Sequence, residues 1–263
     1  MGFARKMGEA AFPWLWQGLI GAWCPGLGPS GLKLFDHSGR GHTGTLTNMD
    51  PGTDWVIDQG LQALEFDGVN DFVDIGNPVG LRPDSQITLA SFFIPTDPQP
   101  SAFGRIICKT DGATGDHWGL MVDSQERLRF RVGSIENSSQ PVLSFPDELN
   151  FGAGTFNGTL HRTYLNGRRF SLSSSGTINT GGDVAIGRNP AAADRFYEGG
   201  IVSVFVWDRA LNDSAIFDLQ RAGPFAPFIP KLGPEREGVK IFMGGPLVNR
   251  KSRLTNLVGG TLV

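Results

Sequence analysis

Few residues in this chain have types and spacing that could do chemistry. Gly26-Leu27-Gly28-Pro29-Ser30-Gly31 satisfies the G-x-G-x-x-G spacing of a dinucleotide loop and follows a strand-like run. That chemistry needs a helix to begin at the loop, because the helix N-terminus holds the pyrophosphate. Pro29 and the strand-like Leu32-Lys33-Leu34-Phe35 follow instead, which predicts a plain loop. There is no G-x-x-x-x-G-K-[ST] and no G-x-S-x-G, and His37, His42, His117 and His161 accompany no recognisable nucleophile motif. No strand pattern sets two carboxylates on one face for glycoside cleavage. A non-enzymatic protein is expected. Asp67, Asn70, Asp71 and Asp74 offer hard oxygen ligands of the kind calcium takes, without EF-hand spacing. The favoured reading of Asp67 and Asp71 is turn chemistry, in which Asp and Asn bond their own backbone. Trp118 could stack on a sugar, although a core position suits it better. The sequons at Asn137, Asn157 and Asn212 are read as chance.

The elements that must position these residues are strands. The chain has 263 residues, 40% hydrophobic and 19% charged, which excludes a disordered chain and a long coiled coil. Gly and Pro make up about a fifth of it, against roughly 12% on average, so turns are frequent. Arg127 to Val132 alternates charged and apolar side chains, a strand with one wet face. Ile87–Ile94 and Ile201–Trp207 are continuously apolar and read as central strands covered on both sides. Asn166-Gly167 and Asn157-Gly158 are two-residue hairpin signals. One helix is expected after Asn212, with Ile216 and Leu219 on one face and Gly223-Pro224 as its stop. Cys24 and Cys108 sit in strand-like runs, where a buried free thiol is expected. No run of about 18 apolar residues exists to span a membrane, and the start is not read as a signal peptide.

Charge is unevenly placed. Net charge is −3, yet residues 231–263 carry Lys231, Arg236, Lys240, Arg250, Lys251 and Arg253 against Glu235 and Glu237, a net +4. The rest therefore carries −7. Pro224, Pro227, Pro230 and Pro234 punctuate a linker, after which Val239–Met243 is strand-prone. Gly244-Gly245-Pro246-Leu247-Val248 and Gly259-Gly260-Thr261-Leu262-Val263 form a short echo. An exposed strand of this kind pairs with something.

Several ordered motifs give the chain a resemblance. Gly18–Trp23, Asp36–Leu46 (the family's D-x-S-G-x-G-x-x-G-x-L), Ala63–Val73 (the family's A-L-x-F-D-G-x-x-D-Y-V), Tyr164–Gly167, Ile186–Asn189 and Gly199–Leu211 are similar to segments of the laminin G-like, or concanavalin A-like, jelly-roll family. The resemblance covers about residues 15–222. It implies an all-β, two-sheet antiparallel jelly-roll sandwich with extended arms. The domains are then an N-terminal arm (1–14), the sandwich (15–222) and a Pro-rich linker with a basic C-terminal arm (223–263). The D-x-S-G loop of the family can help bind calcium, which adds Asp36 to the metal candidates. Val202 and Ser203 stand where the family often carries an acidic pair, and its W-H-H-V strand is absent near Asn150–Ala153. Calcium is therefore the one cofactor to test, and none is expected. The arms look like those of bacteriophage-associated relatives. On that likeness the expected role is a virion structural protein, a capsid decoration or stabilising protein. It would contact copies of itself and other virion proteins through Leu247, Val248, Arg250, Lys251, Arg253, Leu257, Val258 and Leu262. The alternative is a carbohydrate-binding module or phage adhesin with glycan partners, secreted or at a bacterial surface. Neither reading involves nucleic acid or a membrane.

Overall fold

The computed structural model describes residues 12–96, 99, 102–112, 116–138, 147–173 and 175–228. Among them are sixteen strands: β1 (Leu19–Trp23), β2 (Lys33–Leu34), β3 (Gly44–Thr47), β4 (Trp55–Asp58), β5 (Leu61–Asp67), β6 (Phe72–Gly76), β7 (Ile87–Pro95), β8 (Phe103–Thr110), β9 (Asp116–Asp123), β10 (Leu128–Val132), β11 (Ile135–Ser138), β12 (Asn150–Phe156), β13 (Leu160–Leu165), β14 (Arg168–Ser173), β15 (Asp183–Ile186) and β16 (Glu198–Trp207). They form two antiparallel eight-stranded sheets. The first runs β14-β13-β12-β7-β16-β5-β4, with β1 also on β16; the second runs β11-β10-β9-β8-β15-β6-β3-β2. This is the two-sheet sandwich that the sequence motifs imply.

The continuous apolar runs do become the centre. β7 and β16 are neighbours in the first sheet, and all nine residues of β7 are buried. One face of each packs into the core between the sheets, through Leu89, Phe93, Val204 and Val206. The other face, with Ala90, Phe92, Phe205 and Trp207, packs under a second apolar layer. That layer comes from the ends of the described chain: a short helix α1 (Pro13–Trp16) and helix α2 (Asp213–Ala222), which contribute Leu15, Ile216 and Leu219. The Trp207 indole N–H donates to the Leu15 carbonyl at 2.7 Å, and that of Trp16 to the Pro227 carbonyl at 2.9 Å. Phe12 and Trp14 pack on the same layer and Arg209 donates to the Trp14 carbonyl, so residues 12–14, expected as part of an arm, are tied to the sandwich.

Local signals account for most elements. Leu128, Phe130 and Val132 of β10 point into the core while Arg129 and Arg131 stay half-exposed. The Asn212 side chain accepts the Ala215 N–H and caps α2, a contact worth roughly 1 kcal/mol. Asn166 and Gly167 both have positive φ, as their hairpin requires. At Asn157-Gly158 the reading needs a correction. Phe156 pairs with His161, so the turn centres on Gly158 and Thr159, and only Gly158 has positive φ. Asn157 instead uses its side-chain oxygen to accept the N–H groups of Thr159 and Leu160. Cys24 and Cys108 are buried and form no disulfide, Cys24 under the outer layer of the first sheet and Cys108 on the second sheet. The Gly26–Gly31 segment is a 3-10 turn followed by β2, with no helix.

Candidate functional site

The outer faces of the two sheets differ. That of the first is apolar and covered. On the second sheet, the register places Lys33 opposite Thr45, Thr45 opposite Asp74, and Asp74 opposite Ala185. Directly opposed residues share a face, so these four form one row across β2, β3, β6 and β15. Thr47 and Phe72 form the neighbouring row. Leu46, Val73, Val184 and Ile186, at alternate positions, all enter the core. The outward row is therefore polar by strand alternation, with Lys33, Asp74 and Asp183 exposed. Lys33 Nζ donates to Thr45 Oγ1 at 2.7 Å.

Arg188 completes this surface. Its guanidinium lies 3.5 Å from the Phe72 ring centroid. Its Nε is buried without a hydrogen-bond partner. Burial lowers the Arg188 pKa, and the charges of Asp74 and Asp183 partly oppose that shift. Neither carboxylate forms an ion pair with Arg188 among the described residues. The site thus holds an arginine stacked on an aromatic face, with two exposed carboxylates near enough to be felt.

The motifs noticed in the sequence build this arrangement. Gly187 follows β15 with φ +90, and a Cβ there would lie 2.5 Å from the Phe66 ring and 3.2 Å from the Asp71 carbonyl oxygen. Only glycine lets the chain turn there and carry Arg188 back over Phe72. On the other side, Asp67 Oδ1 accepts the N–H groups of Val69, Asn70 and Asp71, and Asp71 Oδ2 accepts the Asp67 N–H at 3.1 Å. This reciprocal pair fixes the turn that delivers Phe72. Burial pushes the Asp71 carboxyl up to about 6, with the Asp67 charge adding to it. Burial also acts to raise Asp67, but the backbone donors outweigh it and hold that carboxyl below the ordinary range.

The three metal candidates have these places. Asp67 and Asp71 share the turn just described. Asp36 lies elsewhere, buried, and accepts the Ala22 N–H, the Ser38 N–H, the Ser38 hydroxyl and the His42 N–H at 2.8–3.0 Å. Its two oxygens organise the Asp36–His42 loop against β1. Among the described residues no group of three or more His, Cys, Asp or Glu side chains is arranged to hold a metal ion. Trp118 is fully buried between the sheets, which removes it as a sugar-stacking residue. Leu247, Val248, Arg250, Lys251, Arg253, Leu257, Val258 and Leu262 lie outside the described residues. Arg188 and Phe72 both lie in segments that resemble family motifs, Ile186–Asn189 and Ala63–Val73, but nothing in either segment shows that the two residues meet across 116 positions of sequence.

Fold and surface define a two-sheet jelly-roll sandwich whose second sheet carries exposed polar residues on the outer side of β2, β6 and β15. Residues 67–217 match the profile of the concanavalin A-like lectin/glucanases superfamily, and the chain belongs to that superfamily. No curated protein matches it. Among solved structures it is similar to domain 4 of AbnA, an extracellular arabinanase from Geobacillus stearothermophilus, with 18% identity, a TM-score of 0.57 and coverage of 76% of this chain and 97% of that one. It is also similar to the Trypanosoma rangeli sialidase, with 17% identity, a TM-score of 0.54 and coverage of 76% of this chain. The chain spans about a third (32%) of that sialidase's length. At these identities the likeness establishes the fold.

Proposed function

We propose that this protein is a non-catalytic carbohydrate-binding module whose sugar site is the outer face of β2, β3, β6 and β15. The observation that carries the reading is Arg188, stacked on Phe72 with Asp74 and Asp183 beside it. Sugar hydroxyls both donate and accept. Arg188 and Lys33 supply donors, and Asp74 and Asp183 supply acceptors. Stacking on Phe72 contributes roughly 0.5–2 kcal/mol to holding the guanidinium in place. Two cations against two carboxylates suit a neutral sugar. The arabinanase domain that this chain matches was solved with arabinotriose, and the sialidase with sialic acid, which favours glycans over the capsid role. That role rested on terminal segments, and residues 1–11 and 229–263 lie outside the described residues. The glycan reading goes with a secreted or surface location.

A glycan array probed with the full chain, followed by calorimetry on the best neutral oligosaccharide, tests this. Arg188→Ala is expected to weaken binding by about tenfold or more, the scale of a hydrogen bond to a charged group. Asp74→Asn is expected to weaken it by a smaller factor, and Val79→Ser, at an exposed site outside this face, to change nothing. Unchanged affinity in both Arg188→Ala and Asp74→Asn removes the site. Silence across the array removes the reading.

A further inference from the structure

Lys109, near the end of β8, is fully buried. It stands opposite Val184 of β15 on one side and Trp118 of β9 on the other. Both of those enter the core, and directly opposed residues share a face. A lysine thus occupies an apolar row. Among the described residues no carboxylate pairs with it. Its Nζ donates to Asn77 Oδ1 at 3.0 Å and to the Gly182 carbonyl at 2.9 Å. A buried ammonium without a counter-ion is unfavourable. Burial pushes the Lys109 amine down to about 8; the Arg82 charge adds to that shift and the Asp183 charge opposes it. At pH 7 about a tenth of the amine then carries a free lone pair, the state in which a lysine is a nucleophile.

The amide it touches is arranged for attack. Asn77 follows β6 and is exposed. Its side-chain carbonyl carbon lies one C=O bond, about 1.2 Å, beyond Oδ1, so it is within about 4.2 Å of Nζ. An Arg82 guanidinium nitrogen donates to the same Oδ1 at 3.2 Å and to the Asn77 backbone carbonyl at 3.4 Å. Two cationic donors converge on that atom, which identifies it as the oxygen of the amide. A guanidinium there stabilises the negative charge that forms when a nucleophile adds to the carbon. Asparagine side chains usually react by closing a ring with the next backbone nitrogen. The next residue here is Pro78, whose nitrogen carries no hydrogen. That route is closed, and the amine held against Asn77 is that of Lys109.

We propose that Lys109 and Asn77 form a self-modification site, in which the lysine amine condenses with the asparagine side-chain amide to give an isopeptide cross-link and ammonia. The uncharged Nζ adds to Asn77 Cγ through its lone pair, and the C=O electron pair moves onto Oδ1, where Arg82 donates. As that pair returns, the Cγ–Nδ2 bond breaks. The departing nitrogen takes a proton from Nζ and leaves as ammonia. One amine and one primary amide thus become one secondary amide and ammonia, with no oxidant or reductant. The folded chain holds the two groups together, which removes the entropic cost of bringing them to each other.

The product suits the surroundings better than the reactants do. Its single N–H is matched by the Gly182 carbonyl, and its oxygen by Arg82. The buried charge disappears, and with it the repulsion from Arg82. The bond ties the end of β6 to the end of β8 across the start of β15, the strand that lies between them in the second sheet. It joins positions 32 residues apart, and a cross-link of that span restricts the unfolded chain. The proposal does not depend on the glycan reading.

Intact-mass spectrometry of the full chain tests it, on protein as isolated and after prolonged incubation of the folded protein at pH 9, where the Lys109 amine is mostly uncharged. After incubation the native chain is expected to weigh one ammonia less than its sequence requires. Fragment spectra of a digest are expected to show a branched peptide that joins residue 77 to residue 109. Asn77→Ala, at an exposed position, is expected to keep its full mass, with circular dichroism reporting that it is folded. A native chain that stays folded and keeps its full mass at pH 9 overturns the proposal. So does an ammonia loss that persists in Asn77→Ala, or one without the branched peptide. The branched peptide is read on the native chain alone, so the test stands even if the variant does not fold.

Discussion

Glu65 offers a direct test of the electrostatics on the first sheet. Replacing it with Gln keeps the shape and removes the charge. Its carboxyl is raised from 4.5 to about 7, first by burial and then by Asp58, Glu198 and Asp54. At 1.36 kcal/mol per pH unit that displacement corresponds to about 3.4 kcal/mol. Glu65 keeps partial contact with water, and solvent screening reduces the expected change to about 1–2 kcal/mol. The sign follows from linkage. A carboxyl whose folded pKa exceeds its unfolded value binds protons better when folded, so its contribution is full below pH 4.5 and is lost as pH rises through 7. Glu65→Gln is therefore expected to be more stable than the native protein at pH 8 and equal to it at pH 4. For a domain of this size the difference at pH 8 amounts to a melting temperature about 3–6 °C higher. Calorimetry or circular dichroism melts at pH 4, 6 and 8 measure it. Equal melting temperatures at pH 8, or a gap that persists at pH 4, would refute the reasoning.

Other perturbations give separate outcomes. Gly187→Ala forces a side chain into positive φ and against Phe66, so it is expected to destabilise by about 1–3 kcal/mol in denaturant melts and to weaken glycan binding together with Arg188→Ala. Asn212→Ala removes the cap of α2 and is expected to cost about 1 kcal/mol, with glycan affinity unchanged; a lost affinity would link α2 to the site. Asp36→Ala strands the Ala22 and His42 N–H groups and is expected to destabilise by about 1–3 kcal/mol for each buried donor left unpaired. The same loss with or without calcium in the buffer is the expected readout, and rescue of the native chain by calcium would give Asp36 a metal role instead.

Sequence made the strands legible because period and composition are local properties. β7 and β16 stand out because both of their faces are buried, and β10 because only one is. The Asn212 cap and the Asn166-Gly167 turn depend on residues within four positions of one another. The core position that suits Trp118 on sequence grounds is the one it takes. Two features were not legible, each because its cause lies far along the chain. Where the turn near Asn157 centres depends on the register that Phe156 and His161 adopt against β7 and β14. That Arg188 meets Phe72 follows from β15 and β6 being neighbours, and pairing order is not written in either strand.

Under the proposed glycan reading, the two outer faces explain why the site would lie on the second sheet. The first sheet turns Ala90, Phe92, Phe151, Phe205 and Trp207 outward, and burying side chains of this size is worth about 1.5–3 kcal/mol each for the larger ones. Helices α1 and α2 must cover that surface for the sandwich to be stable, so a ligand there would compete with folding. On the second sheet, β2, β3, β6 and β15 turn Lys33, Thr45, Asp74 and Asp183 outward while Leu46, Val73, Val184 and Ile186 hold the core from the other side. Exchanging an outward residue there leaves the core untouched. Strand alternation thus separates the residues that stabilise this half of the sheet from those free to recognise a sugar. Double substitution of Thr45 and Asp74 should change glycan preference at constant melting temperature, and a parallel loss of both would show that the two roles are coupled.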